Sequence, residues 1–69
     1  MDEFIRKLLF KLSETYQPSI LTVTFFDEKK KRVCNVIHFI LATKGKEKIY
    51  QAKCNGKREL IKEMIKWLN

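Results

Sequence analysis

Only two glycines and one proline interrupt these 69 residues, so the chain has few places for hinges, linkers or low-complexity segments, and with 45% hydrophobic residues it is expected to fold. Cysteine is scarce as well: Cys34 and Cys54 stand far apart with no CxxC spacing, and His38 is the single histidine. A four-ligand zinc site is therefore not expected, and neither is a cofactor. No long hydrophobic run is present, since the longest, Val36 to Ala42, is broken by His38 and falls far short of the ~20 residues of a membrane span. The opening Met1-Asp2-Glu3-Phe4-Ile5-Arg6-Lys7 lacks the apolar core of a signal peptide, so a soluble, intracellular and cytoplasmic protein is the expectation. Acidic residues are few, 8 against 15 lysines and arginines, which leaves a net charge of +7. A chain of this size is expected to make one domain, residues 1–69, with ~3–5 kcal/mol of stability.

What is present falls into five segments. Residues 2–15 read as a helix, with Phe4, Ile5, Leu8, Leu9, Leu12 and then Tyr16 along one stripe and Pro18 ending helical space at Gln17. Phe10 lies on the opposite face, where it is either a lone surface aromatic or a partner contact. From Ser19 to Asp27 the period becomes two, placing Leu21, Val23 and Phe25 on one side and Ile20, Thr22, Thr24 and Phe26 on the other. A charged loop, Asp27 to Arg32, follows. Val33 to Thr43 is apolar on both faces, as in a central strand covered on both sides. Thr43-Lys44-Gly45-Lys46 reads as a hairpin turn, and Lys48 to Cys54 as the third strand. If Ala42 opposes Lys46, then Cys34 faces Cys54 and His38 faces Tyr50. That pairing makes the thiols neighbours, expected as buried free thiols rather than a disulfide, and offers His38 a hydrogen-bond partner. No serine or carboxylate stands in a motif beside His38, so a non-catalytic protein is expected.

Lys57 to Leu68 closes the chain as an amphipathic helix, with Leu60, Ile61, Met64, Ile65, Trp67 and Leu68 on a broad apolar face and Asn55 as the expected N-cap. Arg58, Lys62 and Lys66 recur every fourth residue along its flank, and Lys57 with Arg58 places two cations beside the outward N–H groups of the first turn, a candidate phosphate site. Taken alone, the ridge fits a solvated face, because Glu59 and Glu63 can pair with Lys62 and Lys66. The predicted architecture changes that balance. It is α+β, in the order α-β-β-β-α, a three-stranded antiparallel sheet with both helices on one face. Strand alternation then brings the 27–32 loop and the start of the second helix to one end, so Lys29, Lys30, Lys31, Arg32, Lys57, Arg58 and Lys62 can converge on a polyanion.

This order, with Gly56-Lys57 opening a basic second helix, resembles the double-stranded RNA-binding domain. The residues matching that family's basic helix-start motif are Arg58-Glu59-Leu60-Ile61-Lys62, in which Arg58 and Lys62 keep the charge, Glu59 replaces the middle lysine and Ile61 takes the alanine slot. Lys29 to Arg32 stand where the family carries its Gly-Pro-x-His loop. The segment Leu41-Ala42-Thr43-Lys44-Gly45-Lys46-Glu47-Lys48-Ile49 is similar to the hairpin of the small Alu-RNA-binding subunits of the signal recognition particle. The resemblance implies a non-catalytic module that binds structured or double-stranded RNA through phosphates, and the basic patch itself suits RNA or DNA. The alternative from the residues themselves is a protein-interaction or dimerisation module, in which Phe10, Phe26 and the second apolar sheet face receive a partner.

Overall fold

The computed structural model describes residues 2–45 and 48–68, in the order α1 (Glu3–Ser13), β1 (Tyr16–Asp27), β2 (Arg32–Thr43), β3 (Ile49–Cys54) and α2 (Lys57–Lys66). The strands form one antiparallel sheet with β2 central, and both helices pack on one face of it, the expected α+β arrangement. No helix among the described residues is long and apolar enough to cross a membrane.

α1 begins where the Asp2 side chain accepts a hydrogen bond from the Phe4 N–H, satisfying one of the unpaired donors at a helix start. It ends at Ser13 rather than near Thr15, and β1 starts at once with Tyr16, three residues before the expected Ser19. Pro18 sits inside the strand, which is possible because β1 is an edge strand and one side of its backbone needs no partner.

The core is a single cluster: Ile5, Leu8 and Leu12 from α1, Phe39 and Leu41 from β2, Cys54 from β3, and Leu60 and Met64 from α2. Two residues expected on the buried stripes lie outside it, Phe4 at the start of α1 and Ile65 on α2, both largely exposed.

The β2–β3 register differs from the expected one by an odd number of residues. Ala42 pairs with Ile49 rather than Lys46, and Ile37 pairs with Cys54. The hairpin closes on the Thr43 N–H, which donates to the Lys48 carbonyl at 3.0 Å, and Gly45 takes the left-handed φ of 72° expected of it. Lys46, the last residue of the predicted turn, lies outside the described residues. An odd slip exchanges the faces of a strand. Cys54, Ala52 and Tyr50 therefore join the core side and Ile49 the open side. Two expectations fall with it. Cys34 does not face Cys54, since Cys34 opposes Phe25 on the open face while Cys54 is fully buried under the helices. His38 is not beside Tyr50 either; it opposes Leu21 and Lys53 on the open face.

β2 is central, as predicted, yet the described residues cover only one of its faces. Gln17, Ser19, Leu21, Val23 and Phe25 of β1, Cys34, Val36, His38, Ile40 and Ala42 of β2, and Ile49, Gln51 and Lys53 of β3 form an open face.

Candidate nucleic-acid interface

β3 ends opposite Ile37, whereas β1 and β2 stay paired as far as Asp27 and Arg32. Beyond Thr22 and Ile37 the sheet is therefore a two-stranded ribbon, about five residues and ~17 Å long, carrying the 28–31 turn at its tip. The residues of this arm on the helix side, Thr24, Phe26, Val33 and Asn35, are exposed because no helix reaches them. Thr24 Oγ1 bonds Asn35 Oδ1 at 2.7 Å across the strands and holds the arm together there.

The tip is built by Asp27. Its Oδ1 accepts from the Lys29 N–H at 2.9 Å and the Lys30 N–H at 3.2 Å, an Asx-type turn. Lys31 adopts a φ of 50°, a left-handed conformation in which a side chain costs about 1 kcal/mol that glycine would avoid. Lys29, Lys30, Lys31 and Arg32 are all exposed, and among the described residues none forms an ion pair.

α2 starts from Gly56, not from the expected Asn55, and Gly56 offers no side-chain cap. Glu59 closes the end instead, its Oε2 accepting from the Asn55 N–H at 3.3 Å. The electropositive first turn, read in the sequence as a phosphate site, thus already holds a carboxylate nearby.

The predicted cations separate into two groups. Lys30 and Arg32 line a cleft with Asp27, Val36 and Asn55, and no cation of α2 shares it. Lys57 lines a groove with Asp2, Ile5 and Leu60 that marks the joint start of both helices. Arg58 is exposed beside it. Lys62 and Lys66 instead line a cleft against β3 with Lys53, Glu59 and Glu63. Lys66 Nζ bonds Glu63 Oε1 at 2.9 Å, the pairing expected of a solvated helix face, and this contact holds the Lys66 ammonium above its ordinary pKa. Glu63 also accepts from the Tyr50 hydroxyl; that bond and the Lys66 bond hold its carboxyl below the usual range.

The arm as a unit was hidden from sequence reading. The signal lay in strand lengths, two strands of 12 residues against one of 6. Phe10, by contrast, is exposed as read, next to Leu9 and Pro18.

The element order agrees with the resemblance to the double-stranded RNA-binding domain without establishing it. Comparison with protein-family models, curated proteins and solved structures finds no match to this chain.

Proposed function

We propose that this domain binds structured or double-stranded nucleic acid, RNA foremost, through phosphate contacts and without chemistry, in the cytoplasm. The observation that carries this reading is the arm tip: four consecutive exposed cations, Lys29 to Arg32, without ion pairs among the described residues, at the end of a projecting ribbon. Like charges so close repel one another, and phosphates relieve that repulsion while releasing counterions. Lysine at the left-handed position 31, where glycine would be easier, fits selection for charge over comfort. Lys57 and Arg58 extend the positive surface from the junction toward α2.

A binding titration on duplex RNA, duplex DNA and single strands tests the reading. With about four phosphates engaged, log K falls against log salt with a slope near −3.6, so fourfold more salt weakens binding on the order of 100-fold. Little preference among duplexes of equal length is expected, because phosphates carry no base information. Absent binding, or binding indifferent to salt, overturns it.

A further inference from the structure

The open sheet face is apolar on a scale that a small basic domain has no reason to keep wet. Leu21 is 55% exposed, Phe25 43% and Ile49 63%, with Val23, Cys34, Val36, Ile40 and Ala42 between them. We infer that this face is the contact surface for a second copy of the same chain, stacked sheet on sheet.

Its charge pattern favours a self-contact over an acidic or basic partner. Among the described residues the strands carry charge on this face only at its margins, on Lys53 beside the free edge of β3 and on the opposed Asp27 and Arg32 at the arm tip. The helical lysines and arginines lie on the other side. Two copies can therefore stack their sheets and keep most of their +7 charges apart, whereas an acidic partner would find little to pair with.

The central row also reads alike from either end. Along β2 the open-face residues are Cys34, Val36, His38, Ile40 and Ala42: small, β-branched, imidazole, β-branched, small. A twofold axis through His38 that reverses β2 lays Cys34 on Ala42 of the second copy and Val36 on Ile40, matching size with size, as an isologous contact requires. On β1 the residue opposite His38 is Leu21, so the axis brings the two Leu21 side chains together as well. On β3 the residue opposite His38 is Lys53, so the same axis sets the two Lys53 side chains near each other, and they must extend past the free β3 edge into water.

The size is sufficient. Twelve paired residues extend ~40 Å and two to three strands span ~10–14 Å, giving a face of about 400–550 Å² per copy. Two such faces reach the ~1,000 Å² at which a specific contact becomes stable. This inference is independent of nucleic acid and stands or falls without it.

Sedimentation of the full chain from roughly 1 to 100 μM, without nucleic acid, decides the matter. A reversible monomer–dimer equilibrium is expected. Leu21→Lys should abolish it, while Phe10→Lys, on the helix side, should leave it unchanged. Circular dichroism checks that Leu21→Lys keeps its fold; if it does not, Phe25→Lys is judged by the same measure. In the wild type, alkylation of Cys34 should slow several-fold between the ends of the concentration range, as its face becomes covered. A strict monomer with Cys34 equally reactive throughout overturns the inference and leaves the face to a different protein. A dimer that survives Leu21→Lys and Phe25→Lys, or that Phe10→Lys breaks, overturns it too.

Discussion

The Tyr50 hydroxyl donates to Glu63 Oε2, a contact that ties β3 to the middle of α2. It holds the tyrosine above its ordinary pKa of 10.0 and the carboxyl below its ordinary 4.5. A carboxyl lowered by folding contributes stability above about pH 4.5 that is lost as pH falls through its folded value. A raised tyrosine contributes stability below pH 10.0 that is lost as pH rises through its folded value. Thermal unfolding across pH should therefore show both limbs, and Tyr50→Phe should flatten both while costing about 1 kcal/mol, or ~4–8 °C, at neutral pH. An unchanged pH profile in Tyr50→Phe would show that the contact has no energetic weight.

Phe39 is 0% exposed and pairs with Ala52 and Ile20 beneath both helices. Phe39→Ala should cost about 3–5 kcal/mol, comparable with the whole stability of a domain this size, and leave the chain largely unfolded at 25 °C. Leu21→Ala, on the open face, should stay within about 0.5 kcal/mol in dilute solution. Denaturant titration of the pair distinguishes the faces; equal losses would mean that Leu21 is packed as deeply as Phe39.

Within the proposed interface, Lys29→Ala with Lys30→Ala should weaken duplex binding by roughly 1–3 kcal/mol and lower the salt slope by about two contacts. Arg58→Ala with Lys62→Ala should do less, because Lys62 shares its cleft with Glu59 and Glu63. Fluorescence anisotropy at several salt concentrations measures both, and a larger loss from the helix pair would move the interface from the arm to α2.

Cys34 and Cys54 should not join in a disulfide. Cys54 sits three positions along β2 from Cys34, opposite Ile37, so the thiols are ~10 Å apart along the sheet and on opposite faces, beyond the ~7 Å that a disulfide spans. Burial also pushes the Cys54 thiol up, away from its reactive thiolate form. Dilute native protein should take up one equivalent of alkylating reagent at Cys34 and the second only on unfolding, as mass spectrometry would show.

Gly56 caps α2 with an extended backbone and no side chain, and a Cβ there would meet open space. Gly56→Ser should add a hydrogen bond to the first turn and stiffen the unfolded chain, raising stability by about 0.5–1 kcal/mol in chemical denaturation. A loss instead would mean that the Asn55–Glu59 contact already occupies the position.

The sequence by itself determined the elements and their order. Period-two runs and helical stripes are local properties, and they marked both helices, all three strands, the Gly45 turn and the exposed Phe10. They also placed Phe39 and Leu41 together on one face and Lys29, Lys30 and Lys31 in a turn, whereas Arg32, expected in that loop, opens β2. Tertiary structure decided everything that depended on register. Alternation says which residues share a face but not how far one strand slides along another, and the β2–β3 offset moved Cys54 and Ala52 into the core and Ile49 out of it. The length of β3 was decided in the same way: it stops where α2 must turn back over Phe39, and the leftover β1–β2 ribbon becomes the arm that carries Lys29 to Arg32 clear of the helices. Local pattern was blind to that arm because its residues alternate just as they do over the core, and only the absence of a helix above them leaves Phe26 and Val33 in water.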